Sequence, residues 1–366
     1  MQIESRKDKL KTALSFAEKM TGKNLTLPIL GTVLLVVDDK SITIRATNLD
    51  IGIEITLPVK VHKKGIVAVP GNILNNLLSN ITDETISLEV KDGNLFVQSQ
   101  KNKAVIKSFP NEDFPTLPVV SSNKKTIQIK PEKLVNGLRS VWYSASVSDI
   151  KPEIASVFLG INNKTITFTA TDSFRLAEKI IDYETEVDGE TLLVPIRNVA
   201  EIIRVFDATK EDIKISFDDN QISFKSGGIY LTSRLIQGVF PDYKQIIPKE
   251  HTTEVIVLKQ DFVNALKTTT LFADKFNQIT LVVDPKGKTF SITSRNPDVG
   301  ENTAFIDSSF SGEGVSLNFN HRYVVDSLQS ITTDSVSLQC NGGSKPLVVQ
   351  GVGDRSFTAL IMPLNQ

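Results

Sequence analysis

The sequence predicts an α+β protein built from three similar two-layer domains, and two observations carry that prediction. The first is an internal repeat. Ile42-Thr-Ile-Arg-Ala-Thr-Asn48, Ile166-Thr-Phe-Thr-Ala-Thr-Asp172 and Phe290-Ser-Ile-Thr-Ser-Arg-Asn296 each alternate apolar and polar side chains and end on Asn or Asp, with 124 residues from one end to the next. Alternation is the pattern of a half-buried strand, Asn and Asp favour the turn that follows it, and a fixed period over most of a chain marks copies of one unit. The second observation is an amphipathic helix pattern that recurs at the same place in each copy.

Each repeat is expected to open with that helix. In 6–20, Leu10, Ala13, Leu14 and Ala17 fall at helical spacing, with Lys7, Lys9, Lys11 and Lys19 elsewhere on the cylinder. Leu134, Leu138, Val141 and Trp142 repeat the pattern in 130–146, as do Phe262, Ala265, Leu266 and Thr269 in 258–273. After the signature strand comes another strand and a shorter helix: 67–70 into 72–79, 192–195 into 197–206, and 315–319 into 321–328. Pro70, Pro195 and Asn320 mark these helix starts at intervals of 125 residues. A proline fits there because its missing N–H would have no helical partner. Two alternating strands follow in each repeat, at 85–90 with 95–99, 212–217 with 221–225, and 335–340 with 347–351. The turns at 91–94 and 218–220 have hairpin chemistry. Short polar linkers at 118–125 and 248–253 divide the chain into domains of 1–121, 122–248 and 249–366. A sheet backed by two helices makes each one a two-layer unit.

A chain of 366 residues with 40% hydrophobic content can bury a sizeable core. Its one cysteine, Cys340, lies in a strand pattern, excludes an intramolecular disulfide and fits a reducing, cytoplasmic setting. Residues 1–6 have no signal-peptide pattern, and no apolar run approaches the roughly 18 residues of a membrane span. No membrane association is expected. Net charge is −1, yet the six helices together carry +7, so the rest of the chain is acidic. Basic helices on an acidic body suit a protein whose helices face phosphate.

Four local motifs stand in order on this frame: Leu27-Pro-Ile-Leu-Gly31, Ala170-Thr-Asp-Ser-Phe-Arg-Leu-Ala177, Gly238-Val-Phe-Pro-Asp-Tyr243 and Met362-Pro-Leu364. Together they resemble the bacterial DNA polymerase III beta subunit, the replication sliding clamps, from end to end. The resemblance implies two subunits joined head to tail in a closed ring of six domains, with antiparallel sheets outside and helices lining the hole. It also implies a processivity factor with no catalytic site and no cofactor. Its partners would be double-stranded DNA held without regard to sequence, a second copy of the chain, the replicative polymerase alpha subunit, the clamp-loader delta subunit, and other polymerases and repair proteins.

By the family pattern, Lys23, Arg139, Arg197, Arg204 and Lys275 face DNA, and Asn24 and Asn72 stand where many relatives carry basic residues. The family's pocket for a short apolar peptide maps onto Ile154, Thr171, Ser173, Phe174, Arg175, Leu176, Pro241, Gln245, Ile246, Leu360, Met362, Pro363 and Leu364. Aliphatic walls with an adaptable Met and a few polar groups suit that role. Departures are Ser173-Phe174 for a common Gly-His, Gln245 for a frequent basic residue, and Asn365-Gln366 for a usual Arg-Leu ending. They imply an altered peptide preference. Ring closure would use Ala104 and Ile106 on an edge strand against Thr270, Leu271 and Phe272, with Lys101 and Lys103 paired to Asp298 and Glu301.

An enzyme is the first alternative, and the sequence argues against it. His62, His251 and His321 lie in separate repeats without metal-ligand spacing, and neither a Gly-x-x-x-x-Gly-Lys loop nor a Gly-x-Ser-x-Gly elbow occurs. The Ser122-Asn-Lys-Lys125 match to Ser-x-x-Lys lies in a linker without companion motifs. The second alternative is a three-domain interaction scaffold that never encircles DNA. The basic helices argue against that one.

Overall fold

A computed structural model describes residues 1–22, 26–120 and 125–364. Among the described residues six α-helices are formed, two per repeat: α1 (Lys7–Lys19), α2 (Gly71–Asn80), α3 (Pro131–Val141), α4 (Ile196–Phe206), α5 (Lys259–Thr269) and α6 (His321–Leu328). The longer helices of the second and third repeats end earlier than their apolar spacing suggests. Each finishes in a tight 3₁₀ turn, Trp142–Ser144 or Thr270–Phe272. The apolar stripe of α1 is buried as expected, through Leu10, Ala13, Leu14 and Ala17, and that of α5 through Phe262 and Leu266. Each of the three longer helices is also preceded by a strand too short to show a periodicity of its own: Gln2–Arg6, Thr126–Ile129 and Thr253–Leu258.

Among the described residues every strand pairing is antiparallel, in four sheets. A five-stranded sheet runs Lys60–Lys63, Gln2–Arg6, Thr85–Lys91, Asn94–Gln98, Lys103–Ile106. A four-stranded sheet runs Gly300–Phe305, Thr289–Asn296, Gln278–Asp284, Val315–Asn320. The two larger sheets each join strands from neighbouring repeats. In the eight-stranded sheet, Ile229–Arg234 pairs with Ile51–Pro58, placing Leu231 opposite Ile53. In the nine-stranded sheet, Arg175–Asp182 pairs with Asp354–Ile361, placing Ala177 opposite Ala359. Pairing across repeats removes edges that would otherwise expose unpaired N–H and C=O groups. Among the strands that end the two smaller sheets are Lys103–Ile106 in the first repeat and Gly300–Phe305 in the third.

Compact units do not follow the repeats. One unit comprises 1–135 with 197–235, and the other 136–196 with 236–366. In the second unit, Gly137 of α3 lies against Phe168, and a Cβ at 137 would stand 2.3 Å from the ring. That glycine sets how close the helix packs to the sheet.

The repeated Asn/Asp signature has a concrete role. The Asn48 carboxamide oxygen accepts from the N–H groups of Asp50 and Ile51, both at 3.0 Å. Asp172 accepts from Phe174 (2.9 Å) and Arg175 (3.0 Å), and Asn296 from Asp298 (3.0 Å). Each side chain completes the turn between two strands, as Asx residues do. In the first two copies the preceding threonine closes the same turn, Thr47 on Ile51 and Thr171 on Arg175.

Candidate functional site

The expected peptide-pocket residues all lie in the second unit and come from four segments. Thr171 ends a strand, and Asp172 begins the turn that reverses the chain through Ser173, whose φ is +78°. The reversal holds Phe174 outward with 62% of its surface exposed. The Phe174 carbonyl accepts from the Met362 N–H at 2.8 Å, which ties the turn to the C-terminal segment. Leu364 N–H donates in turn to Asn318, also at 2.8 Å. Leu176 and Leu360 are directly paired across the sheet. Both are buried, in a cluster with Leu193, Phe240, Tyr243 and Val348. They form the floor of the region and leave Phe174, Ile246 and Met362 as its exposed apolar groups. Ile154 is buried, and its carbonyl accepts from Ser146.

The wall formed by 241–246 is fixed from beneath. The Phe158 and Phe240 rings lie 5.2 Å apart, and the Tyr243 ring meets both nearly edge-on. The buried Tyr243 hydroxyl donates to Glu178, and desolvation and that carboxylate together raise the phenol above its ordinary pKa. Pro241 and Gln245 remain exposed on top, with the Gln245 amide donating to Asp242 at 2.6 Å.

Arg175 is the most constrained charge of the group. Its side chain is 15% exposed, with Nε 3.0 Å from Asp172 and Nη1 2.6 Å from Asp326. Its guanidinium stacks 4.5 Å from the Tyr323 ring and 5.7 Å from that of Tyr143. It therefore sets the shape of this region more than it offers a free charge to a ligand. Tyr323, Asp326, Phe158, Tyr243 and Val348 are additions that the sequence did not supply. Of these only Tyr243 carried a signal, as part of the Gly238–Tyr243 motif.

The expected DNA-facing cations differ in availability. Lys23 and Asn24 lie outside the described residues. Arg139 and Arg197 are exposed on α3 and α4, and Asn72 is exposed on α2. Lys275 is exposed, with its ammonium 5.2 Å from the Phe276 ring. Arg204 is already engaged within its helix. It pairs with Glu201 one turn earlier, and its Nε is buried without a hydrogen-bond partner. Burial pushes the Glu201 carboxyl above its ordinary range, against the pull of Arg204. This half-buried pair leaves Arg204 little charge to offer a phosphate. Lys9 on α1 is exposed and Lys11 is half-buried.

The open edge Lys103–Ile106 carries Ala104 as expected, but Ile106 is buried, at 5% exposure. Strand alternation turns Val105 outward instead, at 57%. Around the other open edge, Leu271 is 72% exposed, Phe272 and Thr270 are half-buried, and Phe305 and Val299 add 71% and 62% exposed side chains. Lys101 and Lys103 are exposed, as is Asp298. Glu301 already lies 3.7 Å from Arg295 on the neighbouring strand. Among the described residues no cluster of three or more His, Cys, Asp or Glu could hold a metal, and no helix is long and apolar enough to cross a membrane.

A thrice-repeated two-layer domain whose sheets merge across repeats defines the class of three-domain clamp folds. Models of the DNA polymerase III beta subunit match this chain in sequence: the N-terminal domain over 1–118, the central domain over 128–242 and the C-terminal domain over 244–365. The beta sliding clamp of Synechococcus elongatus is 28% identical over 375 residues, covering 100% of this chain and 99% of its own, and that of Staphylococcus aureus is 25% identical with the same coverage. The crystal structure of the Bacillus subtilis DNA polymerase sliding clamp superposes with a TM-score of 0.93 at 23% identity, covering 100% of this chain and 99% of that one. The beta subunit of Thermotoga maritima gives the same TM-score, identity and coverage. The chain belongs to the DNA polymerase III beta subunit family, the bacterial sliding clamps.

Proposed function

We propose that two copies of this chain join head to tail into a ring around duplex DNA and tether the replicative polymerase there. The observation that carries this reading is the pair of open, complementary edges. The strand Lys103–Ile106 ends one sheet with Val105 exposed, and Gly300–Phe305 ends another beside Leu271 and Phe305. Joining the two repeats the way in which neighbouring repeats already merge, and it covers both the free backbone groups and the apolar side chains. Exposed Lys9, Arg139, Arg197 and Lys275 would then meet phosphates without reading bases, so the ring slides.

The domains act as 1–121, 122–248 and 249–366. The region around Phe174, Ile246 and Met362 takes a short apolar peptide from the polymerase alpha subunit, the clamp-loader delta subunit, other polymerases and repair proteins. Such a protein works in the cytoplasm and needs neither a catalytic site nor a cofactor. The seam is tested by sedimentation equilibrium. The wild-type chain should run as a dimer of twice 40.3 kDa, and Leu271→Asp should shift it toward monomer. A wild-type monomer, or a dimer indifferent to Leu271→Asp, would refute the proposed seam.

A further inference from the structure

One face of the eight-stranded sheet carries a cavity formed with the segment that ends the first repeat. It measures about 660 Å³ and lies wholly within the first unit. That volume is typical of ligand sites. Its floor is one row of directly opposed residues on successive strands: Lys214, Lys225, Tyr230, Glu54 and Arg45. Its roof is the strap Leu117–Val120, fixed where the Tyr230 hydroxyl donates to the Pro118 carbonyl at 2.8 Å.

The charges in that row are unbalanced. Arg45 and Glu54 neutralise each other at 2.6 Å. Lys214 and Lys225 stand directly opposite one another, both exposed, and neither has a carboxylate partner among the described residues. Asp212, two residues before Lys214, accepts from the Gln128 amide at 3.2 Å. Like charges facing each other across a strand pair destabilise a sheet, so an arrangement of this kind is relieved by an anion between them. The hydroxyls of the cavity are not arranged as a phosphate cradle. Thr126 and Ser216 bond to each other at 3.1 Å, and Thr56 bonds to Thr43 at the same distance. The apolar part of the lining comes from Leu117, Val119 and Val120 in the roof and Ile229 at the side. Tyr230 is the single aromatic ring, which is little for stacking bases.

We propose that this cavity is a second docking site, for an extended acidic peptide of a partner protein that also carries aliphatic side chains. Carboxylates lie between Lys214 and Lys225, and aliphatic groups go under the Leu117–Val120 strap. The site is independent of the Phe174–Met362 region, so one chain can hold two partner segments.

The test uses fluorescence anisotropy of the full-length chain with a fluorescein-labelled hexapeptide of alternating glutamate and leucine. Wild-type protein should bind it, and more weakly as salt rises. The double variant Lys214→Gln/Lys225→Gln should bind roughly tenfold more weakly or worse. Met362→Ala should bind as wild type, which separates this site from the apolar peptide region. Hydrogen exchange should show peptide-dependent protection in 117–120 and 213–231. The double variant should melt no lower than wild type, because it removes a like-charge pair. The proposal is overturned by equal binding to wild type and double variant, by no binding to wild type, or by equal binding of a glutamine-leucine hexapeptide. It is also overturned if the double variant loses affinity for inorganic phosphate or single-stranded oligothymidylate while keeping that for the acidic peptide.

Discussion

Replacing Arg175 by alanine should loosen the whole second unit and not just one surface contact. The guanidinium bridges Asp172 and Asp326 and stacks on Tyr323 while only 15% exposed. A hydrogen bond to a charged group contributes about 1.5–3 kcal/mol when buried. Asp172 is 16% exposed and warrants the middle of that range, whereas Asp326, at 34%, warrants about 1 kcal/mol after screening. The stack on Tyr323 adds about 0.5–1 kcal/mol. The expected loss is about 4 kcal/mol, and in a unit of this size it lowers the melting temperature by roughly 8–16 °C. Arg175→Lys should lose about half as much, since an ammonium cannot fork to two carboxylates and stack at once. Calorimetry of the variants reads both shifts. Adding Asp172→Asn and Asp326→Asn to Arg175→Met should recover part of the loss, because no charge is then left unpaired and Asn can still close the turn, as Asn48 does. A melting temperature for Arg175→Ala within about 2 °C of wild type would refute this account.

Three further expectations follow from single positions. Gly137→Ala places a Cβ 2.3 Å from the Phe168 ring, so urea unfolding should show a loss of about 1–3 kcal/mol. Ser173→Gly should stabilise by about 0.5–1 kcal/mol, since relief of the +78° φ exceeds the entropy a glycine adds to the unfolded chain. His321 is held below its ordinary value of 6.5, mainly by burial and then by Arg322. Its folded pKa is depressed, so its neutral form stabilises the fold above pH 6.5, and that contribution is lost as pH falls through the folded pKa. An NMR titration should find the lowered midpoint, and His321→Gln should flatten this part of the stability profile.

The repeat and its turns were legible because they are local. Alternation ending in Asn or Asp encodes strand and turn within seven residues, and all three copies behave that way. The amphipathic helices were legible for the same reason. What the sequence concealed depends on partners far along the chain. Arg175 meets Asp326 across 151 residues, so a pocket position turned out to be a structural clasp. Ile106 and Val105 are equally apolar in sequence, and only the register of the edge strand decides which of them is buried. Glu201 stands one turn from Arg204 in the sequence, but only the fold shows that the pair is half-buried.

The central claim is encirclement, and retention on DNA of different topology tests it most directly. The chain would be loaded on nicked circular duplex with a compatible clamp loader and ATP, then followed by gel filtration before and after linearisation. Retention on circles at moderate salt with loss from the free ends after cutting is the predicted result. Equal retention on circular and linear DNA would contradict it and leave ordinary electrostatic binding in its place.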